Sequence, residues 1–246
     1  MPYSRKPKMI LFDVGGTLFN DGKCIPVDGL SHLRLAADNP DVTDDETLAS
    51  LWDEYMDELA GLKSKSGVTL DFPLSAPIKY VTMTAGLHFS ISVKEQEEIF
   101  DRFNSSRNVI DGVPELLMSL KEMGIRSAVI SNNAMSGESL ALAIRRWIPS
   151  EEFEFCLTSA DVLFTKPDKS IFLAAANYAH VDPSDCWYCG DGRVPDVDGA
   201  KNSGMTPVLL DESSEIPFEM RTDGNRGEYL AVNNWNELKN FLIKLK

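Results

Sequence analysis

Asp13, Ser131 and Asp191 lie far apart in the 246-residue chain, yet each follows directly on a short run of mostly apolar residues. In an open parallel sheet, the polar residues that follow the strands gather at one edge, and that edge is where ligands bind. Asp13 and Thr17 would come from the first such loop, Ser131 and Asn132 from the second, and Asp191 and Asp196 from the fourth. Lys166 would open the helix before that fourth strand. Three carboxylates brought together repel one another unless a cation sits among them, and oxygen donors suit a hard ion such as Mg²⁺. Lys166 could then neutralise a carboxylate nucleophile and a bound anion. Ser131 and backbone N–H groups at a helix N-terminus could hold phosphoryl oxygens. Each residue also has a plainer role when taken alone. An Asp after a strand is commonly a turn or cap residue, Asp196 and Asp198 suit the first turn of a helix, and a lysine before Pro167 suits an exposed loop. The coincidence of the loops, rather than any one residue, points to a site.

The elements that must position these residues can be read from the apolar pattern. Met9-Ile10-Leu11-Phe12 is continuous rather than alternating, as expected of a buried parallel strand. It runs into Asp13-Val14-Gly15-Gly16-Thr17, where paired glycines allow a sharp turn. From about Phe19 to Asn108 the pattern is helical, with no convincing strand. Thr43 with Glu46 reads as a capping box, Pro73 and Pro77 bound or open a further helix, and Ser92 caps another. Beyond this segment, strand and helix alternate. Pro114 to Gly124 and Ser136 to Trp147 read as helices, as do Ser170 to Ala179 and a stretch around Val197 to Ser203. Ser127 to Ile130, Phe153 to Leu157, Cys186 to Cys189, Pro207 to Leu210 and Tyr229 to Val232 read as strands, with a final helix through Leu245. Alternation of this kind predicts a parallel sheet with helices on both faces. The expected architecture is therefore an α/β core, residues 1–18 and 109–246, split after its first strand by a helical insert, residues 19–108.

Composition narrows the function. Hydrophobic residues make up 43% and charged ones 25%, which excludes a disordered or low-complexity chain. The formal net charge of −14 argues against nucleic acid and anionic membrane surfaces as partners, since both need a cationic face. The segment 19–108 carries 16 acidic and 8 basic residues, so it holds more than half of that excess. Four cysteines do not suggest a disulfide framework. With no secretory signal and no membrane-spanning run, the expected location is the cytoplasm and the expected ligand a small molecule.

At the level of motifs, the chain resembles the haloacid dehalogenase-like hydrolase superfamily. MILFDVGGTL is similar to its first motif, VISNN to the second, FTKPDKSIF to the third and CGDGRVPDVDGA to the fourth. The resemblance implies a Rossmann-like core with a helical cap inserted between the first two motifs. It implies Asp13 as nucleophile, forming a covalent aspartyl intermediate that water later hydrolyses. It implies Mg²⁺ held by Asp13, the Gly15 carbonyl and Asp191, with Asp196 in reach, and Thr17 supporting the loop. Ser131 and Asn132 would bind the transferring group while Lys166 offsets charge. One position departs from the pattern. Phosphatases of this family carry a second Asp, a general acid and base, where this chain has Gly15. Dehalogenases carry an aromatic residue there and phosphonoacetaldehyde hydrolases a small one. The expectation is a Mg²⁺-dependent phosphatase. The alternatives are dehalogenase-type or phosphonoacetaldehyde hydrolase-type cleavage, or a catalytically weak phosphate-binding regulator. Lys63, Lys65 and Lys79 are the insert lysines that a Schiff-base mechanism would draw on, and His88 is the candidate substitute proton donor. Cys186 and Cys189, with redox-like spacing, read as two core thiols on opposite faces of a strand.

Overall fold

The computed structural model describes residues 3–66, 71–149, 153–222 and 227–245. The first strand, β1 (Met9–Phe12), lies at the centre of a seven-stranded sheet and has no exposed surface along its length. Its chain then turns sharply into β2 (Phe19–Cys24) and four helices, α1 (Pro26–Leu35), α2 (Asp45–Ser66), α3 (Ser75–Thr84) and α4 (Val93–Asn104). It returns through β3 (Ser105–Val109), which pairs antiparallel with β2. The remainder alternates: α5 (Val113–Glu122), β4 (Arg126–Ser131), α6 (Gly137–Trp147), β5 (Cys156–Thr158), the short α7 (Ser159–Val162) and α8 (Lys169–Tyr178). Then follow β6 (Cys186–Gly190), a π-type turn (Arg193–Asp198), α9 (Gly199–Asn202), β7 (Thr206–Leu210), β8 (Phe218–Thr222), β9 (Glu228–Val232) and α10 (Trp235–Lys244).

The sheet runs β5-β4-β1-β6-β7-β9-β8, parallel throughout except for β8, which pairs antiparallel with β9. The chain leaves β1 toward β4 and β5 on one side and leaves β6 toward β7 on the other, so the carboxyl ends of β1 and β6 lie side by side at the switch in strand order, with that of β4 next to them. Register fixes this: Phe12 is level with Val129 of β4 and with Cys189 of β6. Ile10 and Phe12 face one hydrophobic layer with Leu116, Leu140 and Trp235, while Met9 and Leu11 face another with Ile171, Phe172 and Ala200. Fully burying such a side chain contributes roughly 1.5–3 kcal/mol, so β1 anchors both layers. Cys186 falls in the second layer and Cys189 in the first, on opposite faces as the strand period requires. All four cysteines are free, and burial pushes the Cys186 thiol up to about 11.

The helices α1 to α4 enclose a separate apolar cluster that includes Leu30, Leu33, Leu48, Trp52, Ile78, Val81 and Phe100. Ser92 forms the expected capping box with Glu95. At α2 the capping residue is Asp44, whose carboxylate accepts from the Thr47 N–H at 2.8 Å, in place of the expected Thr43. Two further differences concern strands. The pair β2 and β3, in a stretch read as wholly helical, is polar and shows no alternation, so its pairing is tertiary in origin. Gly22 is needed there, because a Cβ would lie 2.2 Å from the Ser106 carbonyl oxygen. The edge strand β8 carries Glu219 and Arg221 and lacks the continuous apolar run that marks the central strands. No helix among the described residues is long and apolar enough to cross a membrane.

Candidate active site

The turn after β1 is built from backbone contacts. Leu18 and Phe19 N–H groups both donate to the Val14 carbonyl, at 2.9 and 3.0 Å, and the Gly16 N–H donates to Phe19 O at 2.8 Å. Gly16 adopts φ +65°, and a Cβ there would lie 2.2 Å from an Asp191 carboxylate oxygen. Glycine is therefore required on two counts, a left-handed backbone and the close approach of Asp191. Thr17 is fully buried, and its Oγ1 has no hydrogen-bond partner. Its carbonyl accepts from the Trp235 indole N–H at 2.8 Å, which ties α10 to the loop. Thr17 thus sits beneath the site and not in its wall.

Above this turn, Asp13, Ser131, Lys166, Asp191 and Asp196 line one recess of about 260 Å³ together with Gly15 and Asn132. Lys166, almost wholly buried, stands at its centre. Its ammonium lies 2.8 Å from Asp13 Oδ1 and 2.7 Å from Asp196 Oδ1, and it donates to the Tyr188 hydroxyl at 2.8 Å. Tyr188 in turn donates to the Ile130 carbonyl at 2.8 Å. Burial works against the charged lysine, but Asp13 and Asp196 outweigh it and the Lys166 pKa lies above its ordinary range. Asp196 shows the converse. Burial and the nearby Asp13 charge raise its carboxyl to about 6, even though Lys166 and the Gly192 N–H favour its charged form. Lys166, which taken alone would suit an exposed loop, is held instead in a buried ion pair.

Asn132, which lines the recess, also engages the main chain of Lys166. Its side-chain oxygen accepts from the Lys166 N–H at 2.7 Å and its amide donates to the Lys166 carbonyl at 3.1 Å. The side chain grips the main chain of Lys166 and so aims the ammonium. Ser131, at the end of β4, is buried in the recess wall. The cluster also offers a cation site. One oxygen from each of Asp13, Asp191 and Asp196 lies within 4.8 Å of the other two. Three carboxylates against one lysine leave a formal charge of −2, which a divalent ion would balance, and the donors are all hard oxygens. The residues present fit Mg²⁺ on both counts.

Two residues of the site escaped the sequence reading. The apolar pattern places Tyr188 in a core strand and gives no sign of the site, although a phenol buried in an apolar run needs a partner. Arg107, on β3, lines the recess from the side of the helical segment. By contrast, His88 and Lys79 are exposed and do not line it. The side chains of Lys63 and Lys65 lie outside those described.

The family model described as haloacid dehalogenase-like hydrolase matches residues 10–210. Haloacid dehalogenase-like hydrolase domain-containing protein 3 from Homo sapiens is 35% identical over 104 residues, 42% of this chain and 39% of that protein. Glyceraldehyde 3-phosphate phosphatase from Methanopyrus kandleri is 28% identical over 46% of this chain and 47% of that protein. The chain thus spans less than half the length of these curated relatives. In overall fold it is similar to a 2-haloacid dehalogenase from Pseudomonas syringae pv. Tomato, with a TM-score of 0.61 at 23% identity, covering 97% of this chain and 99% of that one.

Proposed function

The chain belongs to the haloacid dehalogenase-like hydrolases, and within that family we propose that it is a Mg²⁺-dependent phosphatase acting on a small phosphorylated metabolite. The observation that carries this reading is the convergence of Asp13, Asp191 and Asp196 around Lys166 at the switch in strand order. Dehalogenation has no use for a cation, so a triad of carboxylates at that point favours phosphoryl transfer. When bound, Mg²⁺ would be held by Asp13, the Gly15 carbonyl and Asp191, with Asp196 beside them, and would screen the phosphoryl charge from the carboxylates.

The residues of the chain then divide the work. Asp13 attacks phosphorus through one carboxylate oxygen as the P–O bond to the leaving alcohol breaks, forming an aspartyl phosphate, and water then attacks phosphorus, releasing inorganic phosphate and restoring the Asp13 carboxylate. Lys166 holds the Asp13 carboxylate in place and offsets charge on the transferring group. Ser131 offers its hydroxyl to the phosphoryl oxygens, and Asn132 acts through Lys166. The four helices would act as a cap over the recess, and a polar recess of this size suits a small substrate.

Gly15 gives the site its peculiarity. Among the described residues lining the recess there is no histidine, and no carboxylate beyond the three in the cluster. A leaving group therefore departs without a dedicated acid, assistance that is typically worth ~10²–10⁴-fold. Turnover should rise steeply as the leaving group becomes more acidic, with aryl phosphates far ahead of alkyl ones. Hydrolysis of a chromogenic aryl phosphate with and without Mg²⁺ tests the reading. The expected result is metal-dependent turnover that the Asp13→Asn variant lacks. Equal rates in wild type and variant, or halide release from a 2-haloacid in the presence of EDTA, would overturn it.

A further inference from the structure

Arg107 lines a second recess as well as the first. This recess, of about 150 Å³, is walled by Asp101, Arg102, Ser105, Arg107, Arg146 and Trp147. Its charge runs against that of the chain, with three guanidinium groups and one carboxylate in a protein of net charge −14. Asp101 is buried, and it bridges Arg107 at 2.9 Å to Arg146 at 2.6 Å. One carboxylate engaging one nitrogen of each arginine leaves most of the five N–H donors of a guanidinium unspent on it. Ser105 supplies an independent observation, because its Oγ is buried and has no hydrogen-bond partner. Buried hydroxyls are seldom left so without a reason. Ser105 and Arg107 are two apart on β3, and so they share one face of the strand.

We propose that Arg107 reads a second anionic group, a carboxylate, carried on the same small molecule as the phosphoryl group, with Arg146 and Ser105 completing that subsite. The proposal rests on the phosphatase reading and names the substrate class within it: a small phosphorylated carboxylic acid. Among the described residues, Arg107 is the one arginine that borders both recesses, which places it where a substrate would pass from the phosphoryl position to the second anion. A guanidinium fork matches the planar, two-oxygen form of a carboxylate. The pair Arg107 and Arg146 comes from β3 and α6, one on each side of the boundary between helical segment and core. A carboxylate held there would bridge the two.

The test compares 3-phosphoglycerate with glycerol 3-phosphate, which differ in the carboxylate. Equilibrium binding is measured on the Asp13→Asn protein, which cannot turn substrate over, in the presence of Mg²⁺. The acid is expected to bind about 10- to 100-fold more tightly, the range of a charge-assisted hydrogen-bonded pair. Arg107→Gln in that background should lose at least tenfold more affinity for the acid than for the alcohol, and Arg107→Lys should recover part of the difference. Equal affinity for the two ligands, or an equal loss for both in Arg107→Gln, would overturn the proposal. Turnover by the protein with an intact Asp13 separates the two readings. A binding preference without hydrolysis of any phosphomonoester leaves the subsite standing and removes the phosphatase.

Discussion

The floor of the recess and the seam between the helical segment and the core are both polar and partly buried, yet they are assembled in opposite ways. At the floor, one lysine is shared by two carboxylates at 2.7 and 2.8 Å, and a neighbouring tyrosine and asparagine hold it in place. Asp13 and Asn132 directly follow β1 and β4, Tyr188 lies on β6 and Asp196 in the turn after it, so these three strands fix the geometry around Lys166, which enters from the loop between α7 and α8. The seam spreads its polar groups along two helices. Lys94 meets Glu138 at 3.1 Å, the buried Glu97 accepts from the Ser139 hydroxyl at 3.0 Å, and Asp101 meets Arg146 at 2.6 Å. Residues 94, 97 and 101 fall on one face of α4, spaced as neighbours on a helix must be. A second contact joins the same two parts, where the Ser159 hydroxyl donates to Asp71 at 2.7 Å. The floor concentrates charge on one point, and the seam distributes it. The two should therefore respond differently when single groups are removed.

The largest effect belongs to the floor. Lys166→Met leaves Asp13 and Asp196 close together without their shared cation. Removing one partner of a buried ion pair costs about 3–5 kcal/mol. Urea unfolding at neutral pH without Mg²⁺ should show a loss of that order, and added Mg²⁺ should restore part of it. Catalytic activity should be lost whether or not stability is restored. A variant as stable as the wild type would break the comparison, because the floor would then not depend on one residue.

The seam should yield less per residue. Asp101→Asn separates two arginines from their common partner, but both keep some contact with water, at 16% and 24% exposure. A destabilisation of about 2 kcal/mol is expected, below the cost for a fully buried pair. Thermal or urea unfolding checks it, and a loss equal to that of Lys166→Met would show the seam to be as concentrated as the floor.

The smallest effect is a change in pH dependence at Glu97. Burial raises the Glu97 carboxyl above its usual range, against hydrogen bonds from Ser139 and Ser75 that favour the charged form. An acid whose folded pKa lies above its unfolded one binds the proton more tightly in the native state. Stability is then greatest at acid pH and falls as pH rises from the unfolded value, about 4.3, to the raised folded value. Glu97→Gln should remove that fall, so the difference between variant and wild type should grow in the variant's favour across this window and stay constant above it. Unfolding free energies across a pH series check the sign, and parallel curves would contradict it.

This contrast also governs how much could be read in advance. Asp13, Ser131 and Asp191 were legible because each adjoins an apolar strand, and strand ends are fixed by local sequence. The alternating strands and helices after residue 109 were legible for the same reason, apart from the polar edge strand β8. Lys166 and Asp196 lie farther from any strand and were legible through the motifs that contain them. Arg107 was not, because β3 has no apolar pattern of its own and is defined by its pairing with β2. Asn132 was identified by position, but its grip on the Lys166 main chain was not legible, since it depends on a residue 34 positions away. Tyr188 lay inside a strand whose apolar neighbours hid its hydroxyl. The polar seam as a whole escaped because Glu97 and Asp101 look like ordinary helix-surface acids until α6 is packed against them.

The central claim is that Asp13 receives the phosphoryl group. Rapid quenching of the enzyme during Mg²⁺-dependent turnover of an aryl phosphate, followed by peptide mass spectrometry, addresses it directly. The account predicts that the peptide containing Asp13 gains the mass of one phosphoryl group, and that the Asp13→Asn protein gains none. A phosphoryl group found on another residue, or turnover that continues in Asp13→Asn with no labelled peptide, would contradict it.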